Sequence, residues 1–389
     1  MKPILSILLM FVVTGPAYAS IYLGSQEYPG NPVLAVDARA MGMGGVSLAY
    51  EGGLSSFHNP ALLSSLTGRQ ISFSYGLMPV RERVIEEDEL SYYNSEIFFS
   101  APSFSLAFPV GKGIAFELAG FPVLDFRYQH KKSIFQEDQP TEMKGLNTIE
   151  SKGNLTSYTP ALSLKLTSWL SVGVSYGVLR GKREGEEREE DFQVGSSTSA
   201  KVNAKISGQR VGLGIRLSTG ETSIGLFYKC ATRVSADWEI EQDGFKTEND
   251  YKFKMPESWG IGFSHYYSGS RSELCAEIVH TPWSYFQVEK DTYTERPFYR
   301  DTTEFRVGAE HSLSDRVKIR YGFSFLPFYG DRAVEEASFT LGIGVYPSES
   351  VQLDIGSTYG KSQFKGFFSS DDRVDETVMR LLFTGRLRF

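Results

Sequence analysis

Of the 389 residues only two are cysteine and five histidine, and neither number leaves room for much chemistry. Two cysteines cannot staple a loop-rich secreted miniprotein. The histidines at 58, 130, 265, 280 and 311 form no H-x-x-H or H-E-x-x-H pair, so no metal site is expected. A G-x-S-x-G elbow is also missing, so no catalytic residue or cofactor is assigned. There is no basic stretch: 40 Lys and Arg stand against 47 Asp and Glu, for a net charge of -7, which argues against nucleic acid as a partner. Beyond the first twenty residues no apolar run reaches 18, so no membrane helix is expected in the exported chain. With 41% hydrophobic residues, 38 Gly and 16 Pro, the composition is neither collagenous nor disordered.

What is present begins with an export signal. Lys2, an apolar run over residues 4–13 broken only by Ser6, and Ala17-Tyr18-Ala19 ahead of Ser20 have the form of a signal peptide spanning residues 1–19. The run is well short of the ~20 residues needed to cross a bilayer. The product is therefore periplasmic, secreted, or an outer-membrane barrel.

Alternation decides among these. Leu170, Val172, Val174, Tyr176 and Val178 alternate with Ser171, Gly173, Ser175 and Gly177. Val211 to Leu217 and Val317 to Phe325 repeat the pattern, with Arg, Lys, Ser or Gly on the second face. Period two is the signature of a strand with two unlike faces. Strands of about nine to fifteen residues, apolar on one face and polar on the other, suit a wall with lipid outside and water inside. Such a wall also houses 28 Phe and 21 Tyr.

Strands are expected near residues 69–79, 102–109, 113–128, 155–166, 169–180, 199–217, 221–238, 251–267, 271–286, 302–313, 316–327, 335–346, 350–364 and 376–389. The links alternate between six tight turns and seven long loops, which puts both termini in the periplasm. The fold class is thus all-β, a 14-stranded antiparallel transmembrane barrel over residues 67–389. Met379, Leu381, Phe383, Leu387 and Phe389 share one face of the last strand. The terminal Phe389 resembles the assembly signal read by the barrel-insertion machinery, and equally suits a plain final strand. The acid-rich stretches 86–89 and 184–191 read as solvated extracellular loops, with divalent-cation bridging to lipopolysaccharide as the alternative. Cys230 and Cys275 fall on opposite sides of the wall, so no disulfide is expected.

Residues 20–66 do not alternate. They contain Ala38-Arg39-Ala40-Met41-Gly42-Met43-Gly44-Gly45-Val46 and Phe57-His58-Asn59-Pro60-Ala61-Leu62. An apolar, glycine-rich segment ahead of a barrel is best housed in the lumen. Lipid would strand its backbone polar groups, and the periplasm would wet its apolar ones. A dinucleotide loop at Gly42 to Gly45 would need a strand, a helix and an acidic partner around it, and these are lacking.

The motif Arg39-Ala40-Met41-Gly42-Met43-Gly44-Gly45 followed by Asn59-Pro60-Ala61 resembles the N-terminal hatch of the long-chain fatty-acid transporter (FadL-like) outer-membrane proteins, which include importers of aromatic hydrocarbons. Met255-Pro256-Glu257-Ser258-Trp259-Gly260-Ile261-Gly262, Thr281-Pro282-Trp283-Ser284-Tyr285-Phe286 and Phe305-Arg306-Val307-Gly308-Ala309-Glu310-His311 resemble later barrel strands of that family, in order. The resemblance implies passive uptake of fatty acids or aromatic or aliphatic hydrocarbons, with no enzymatic activity. Ligand would be captured at extracellular loops, held in an apolar lumen pocket and released sideways beside a kinked third strand. Gly120, Phe121 and Pro122 are the candidate kink, because proline removes a ladder donor; the alternative is that Pro122 only ends a short strand. Phe57, Asn59, Pro60, Ala61, Gly42, Gly44 and Gly45 are the candidate hatch and gating residues. Asn59 equally suits a structural role, its amide satisfying backbone groups in a turn. The implied partners are a hydrophobic small molecule, outer-membrane lipid and lipopolysaccharide, and the insertion machinery, with the barrel a monomer. A shuttle barrel of a secretion system is the alternative function.

Overall fold

The computed structural model describes residues 29–49, 57–85, 91–135, 143–242, 244–290, 293–330, 335–365 and 373–389. The leader at residues 1–19, residues 20–28 and 50–56 of the expected hatch, and the acidic stretch 86–89 lie outside the described residues.

In chain order the strands are β1 (Asn31–Pro32), β2 (Gln70–Ile85), β3 (Ser91–Phe99), β4 (Ser103–Gly111), β5 (Ile114–Asp125), β6 (Tyr128–Phe135), β7 (Met143–Lys165), β8 (Leu170–Asp191) and β9 (Ser196–Thr219). They continue as β10 (Thr222–Lys229), β11 (Thr232–Gln242), β12 (Phe245–Met255), β13 (Ser258–Tyr267), β14 (Ser272–Thr281), β15 (Gln287–Glu289) and β16 (Thr294–Glu295). The last five are β17 (Thr302–Ser312), β18 (Val317–Pro327), β19 (Glu335–Val345), β20 (Val351–Lys365) and β21 (Arg373–Arg388). A short helix α1 (Ala38–Gly42) and two 3-10 turns, Pro60–Ser65 and Trp283–Tyr285, complete the inventory.

Neighbours pair antiparallel around the circumference, and β21 pairs with β2 from Gln70↔Arg388 to Ile85↔Arg373, which closes the sheet. β3 and β4 are two parts of one barrel strand, as are β5 and β6, β10 and β11, and β12 and β13. The result is a closed 14-stranded barrel, the number that the alternation gives. Closure pairs the backbone around the circumference, as a lipid-facing sheet requires, apart from a break between the second and third strands described below. Phe389 exchanges backbone hydrogen bonds with Arg69 at 3.0 Å, so the chain end is sewn to the first strand.

Burial is inverted relative to a water-soluble protein. Ile71, Phe73, Leu213, Ile261, Leu341, Ile355 and Phe383 are exposed, while Ser72, Ser74, Glu277, Arg306, Arg320, Thr340, Asp354 and Thr384 are buried. Each polar residue points into the bore because the side chains of successive residues leave opposite faces of the strand.

The fourth to sixth strands are longer than the sequence pattern indicates. β7, β8 and β9 run 23, 22 and 24 residues, about twice what a tilted membrane strand needs. The stretch 184–191 is therefore no loop: it is the outer end of β8, paired with β9 up to Asp191↔Ser196. Above the bilayer both faces meet water, so the ladder persists where the apolar alternation has ended.

Candidate functional site

The N-terminal segment touches inward-facing groups on all sides of the wall and so lies in the bore. Its first part is bolted by charge. Asp37 caps α1 by accepting from the Ala40 amide at 2.9 Å, and the Ala38 amide donates to Thr384 Oγ1 at 2.8 Å. Arg39 reaches Glu310 at 3.0 Å; Lys318 Nζ and Arg320 Nε meet the same carboxylate at 2.7 and 2.6 Å, and Arg320 goes on to Asp354 at 2.7 Å. Farther along, Glu277 accepts from the Ser47 and Leu48 amides at 2.9 and 3.0 Å, while Arg306 donates to the Gly45 carbonyl at 3.1 Å.

The glycines on the inner face of the wall have a common purpose here. A methyl group on Gly173, Gly214, Gly225, Gly262, Gly308, Gly322 or Gly356 would fall within 3.0 Å of this segment. Only hydrogen fits where two backbones approach so closely. Within the segment, Gly44 and Gly45 hold φ of 75° and 84°, in the left-handed region, and the Gly44 amide donates to Thr340 Oγ1 at 2.9 Å. The Gly42 carbonyl accepts from the same hydroxyl at 3.1 Å.

The second part, from Phe57 onward, is held differently. Asn59 is fully buried; its Oδ1 accepts from the Ala61 amide at 3.1 Å, and its Nδ2 donates to the carbonyls of Leu48 at 2.7 Å and Ile215 at 3.1 Å. The Asn side chain thus starts the Pro60–Ser65 turn and ties both parts of the segment to β9. Pro60 and Ala61 are buried beside it. The next anchor is apolar: the Phe57 ring stands edge-on to Phe121, centroids 5.2 Å apart.

Above this layer lies a cavity of about 140 Å³. Phe57 and His58 form its floor, Phe121, Phe227 and Val279 its sides, and Leu155, Met255 and Trp283 its roof. The roof belongs to a larger aromatic cluster with Trp238, Phe253, Phe286, Tyr299 and Tyr329 that caps the bore. Trp283 and Tyr329 stack at 4.2 Å, and Tyr329 donates to the Gly30 carbonyl at 2.9 Å. Below the layer a polar vestibule of about 480 Å³ opens between Gln70, Glu117, Arg216 and Glu273. Phe57, His58 and the buried turn after them therefore separate a mainly apolar chamber, lined also by Arg210, Lys229, Glu304 and Arg306, from a polar one.

Two groups in the chamber escaped sequence reasoning. Neither ring nitrogen of His58 has a partner at bonding geometry. Burial holds its pKa well below the ordinary value, the charges of Lys229 and Arg306 add to this, and the Leu34 carbonyl opposes it. Lys229 has its ammonium 5.0 Å from the Phe57 ring and 5.7 Å from Phe227, with no carboxylate within 4.0 Å among the described residues. A lone lysine following Tyr228 in a strand gives no sequence signal; only the lumen around it makes it unusual. Of the candidate hatch and kink residues, Phe57 and Phe121 line the chamber, and Asn59, Pro60, Ala61, Pro122, Gly42, Gly44, Gly45 and Gly120 do not.

Among the described residues the wall has a seam between the second and third strands. β4 and β5 pair from Gly111↔Ile114 to Phe104↔Gly120, and there the ladder between the second and third strands ends among the described residues. Phe121 and Pro122 follow at once, and the register of β5 on β7 shifts between Pro122 and Leu124. On the edge of β5 freed in this way β1 is paired, Pro32 opposite Leu124. Higher up the gap is bridged by Asn94, which donates to His130 at 3.0 Å and accepts from the Lys131 amide at 3.2 Å. A second cavity, of about 160 Å³, reaches this seam at Met78 and Phe98 and shares Pro32, Val33, Trp283 and Arg306 with the first.

Comparison with known proteins bears on this architecture. A family model described as BamG matches residues 30–224, half of the chain. The chain belongs to the BamG family. Among solved structures, this BamG-family chain is similar to a Pseudomonas aeruginosa FadL homologue at 14% identity, covering 92% of this chain and 100% of that one with a TM-score of 0.67. It is similar to the Pseudomonas putida toluene transporter TodX at 15% identity, 91% and 98% coverage and TM-score 0.66. The Ralstonia pickettii toluene transporter TbuX gives 16% identity, 91% and 98% coverage and TM-score 0.63. No curated protein matches the sequence. The BamG-family barrel therefore has the FadL-like fold, and its place is the bacterial outer membrane.

Proposed function

We propose that this barrel is an outer-membrane channel for passive uptake of hydrophobic small molecules, with the segment before β2 as its hatch. The observation that carries the reading is the mainly apolar chamber between the aromatic cluster and the Phe57-His58 floor. An apolar cavity of about 150 Å³ accepts a benzene-sized molecule, so 140 Å³ suits one ring or one end of a chain. A longer chain would extend past Pro32 and Val33 into the neighbouring 160 Å³ cavity. Burying roughly 150–200 Å² of apolar surface is worth about 4–5 kcal/mol, enough to hold a ligand in passing and too little to trap it.

Lys229 refines the substrate. An ammonium facing two aromatic rings without a carboxylate partner favours a hydrophobic molecule bearing one anionic group, a fatty or aromatic acid, over a plain hydrocarbon. Exit is through the seam above Gly120, where β1 takes the place of the missing ladder and Phe121 and Pro122 turn the third strand away from the second. The structural neighbours that are toluene transporters support a hydrophobic cargo.

The test is uptake into proteoliposomes of a fatty acid, benzoate and toluene. The acids should enter faster than through protein-free bilayers, and Lys229→Met should slow them about tenfold with toluene unaffected. Acid entry no faster than through lipid alone would end the proposal. The family name supports a second reading, an accessory barrel of the barrel-assembly machinery. That reading requires stoichiometric recovery of assembly-machinery subunits with the barrel from native membranes, and their absence would dismiss it.

A further inference from the structure

The outward faces of β7, β8 and β9 beyond their apolar stretch, a collar above the bilayer, carry a cluster of positive charge. Outward positions on β7, β8, β9 and β11 can be followed row by row through the strand register. In the lowest of these rows Tyr158 lies opposite Val178, and both Tyr158 and Tyr176 are exposed. They continue an exposed rim of Tyr228 and Trp259, the girdle that marks the water boundary of a membrane barrel. The next row is Thr156, Arg180, Ser207 and Ser235, and the one above it Asn154, Lys182, Lys205 and Asp237. One row farther out the sign already reverses, with Glu184 and Glu239 beside Lys152, and in the next row Glu150, Glu186 and Glu241 surround Lys201.

Arg180, Lys182 and Lys205 are all exposed, and Asn154, Thr156 and Tyr158 complete with them an open groove of about 520 Å³. Lys182 and Lys205 face each other directly across the ladder. Like charges so placed repel, at Cβ separations of about 4.5–5.5 Å. Neither ammonium has a carboxylate within 4.0 Å among the described residues, although Asp237 stands opposite Lys205 in the ladder and Glu239 lies one row farther out. Lys252 and Arg233 extend the cluster along β12 and β11; Arg233 is paired with Glu289 at 3.3 Å. The groove thus gathers Arg180, Lys182 and Lys205 against one bordering carboxylate, Asp237, one strand repeat above Tyr158.

We propose that this groove is a docking site for the phosphorylated sugar headgroup of an outer-leaflet lipopolysaccharide molecule. A phosphate oxygen cluster supplies countercharge that Asp237 alone does not provide for Arg180, Lys182 and Lys205, and Asn154 and Thr156 offer hydrogen bonds to sugar hydroxyls. The acyl chains of the same molecule lie against Tyr158, Tyr176 and Leu213 below. Charge, height and the amphiphilic profile of the surface all fit this one partner. The site lies outside the bore and is independent of what the channel carries.

The test uses the full-length protein in mild detergent, incubated with bis-phosphorylated lipid A and analysed by native mass spectrometry. Wild type should retain one lipid A per barrel. Combined Arg180→Ser, Lys182→Ser and Lys205→Ser should weaken retention about a hundredfold, while Lys152→Ser, Lys201→Ser and Lys246→Ser, higher on the collar, should leave it intact. Heat-modifiable migration on gels verifies that each barrel is folded. On the wild-type protein alone, dephosphorylated lipid A and phosphatidylglycerol should bind far more weakly. Equal retention by the two triple variants, or equal binding of the dephosphorylated or phospholipid probe to wild type, would overturn the proposal.

Discussion

The two described parts of the segment in the bore are held by opposite means. Residues 37–48 are fixed by ionic and charge-assisted bonds to Glu277, Glu310 and Arg306, all deeply buried, with Arg320 holding Glu310 from the wall side. Residues 57–65 have one side-chain amide, that of Asn59, and apolar packing. Charged groups buried together are costly to part, because each would be left without its partner in a poorly polarisable interior. Apolar contacts slide at little cost. The difference teaches that the floor of the chamber belongs to the part without ion pairs, tied to the bolted part through the Asn59 bond to the Leu48 carbonyl.

The sharpest way to break this contrast is to take away the central bolt. Glu310→Ala leaves Arg39, Lys318 and Arg320 facing one another, and should cost about 3–5 kcal/mol. The expected readout is a rise in single-channel conductance in planar bilayers; conductance as low as wild type would show that the bolt does not hold the segment. Gly308→Ala, which sets a methyl group against Met43, should cost about 1–3 kcal/mol through overpacking. Faster cleavage of the N-terminal segment in limited proteolysis would register it, and an unchanged digestion pattern would count against close approach there.

Asn59→Ala acts on the weaker part. Loss of the cap and its two further bonds should cost about 1–2 kcal/mol. Barrel insertion should be normal and hydrophobe uptake altered, and unchanged uptake at equal surface abundance would remove Asn59 from any gating role. The smallest effect is on pH. His58 titrates below its ordinary value in the folded protein, so the unfolded chain binds more protons once pH falls below about 6.5. Stability of the floor should therefore be full above that pH and decline below it, whereas His58→Gln should flatten the profile. Parallel profiles for the two proteins in thermal unfolding between pH 7.5 and 5 would contradict this.

Much of the wall was legible from alternation alone, because a strand between lipid and water has to sort its residues by face. The runs from Leu170 and Val317 show it plainly, and both are strands with the expected inner and outer faces. The outer ends of β7 to β9 were not legible. There the run Glu184 to Asp191 pairs as strand with water on each side, and period two has no apolar partner to reveal it. The glycines of the inner face appear in the sequence only as a small second face. That they mark where another backbone lies against the wall could not be read from them.

By itself the sequence determined the barrel, its strand number and the presence of an unalternating apolar segment ahead of it. Those properties follow from hydrophobic period and turn spacing, which are local. Only the tertiary structure decided which residues meet across the bore: Arg39 with Glu310, Leu48 with Glu277, Asn59 with Ile215, and Lys229 with two phenylalanines. These contacts join positions far apart in the chain, and a barrel's closure sets them through register and shear, quantities that no local pattern records.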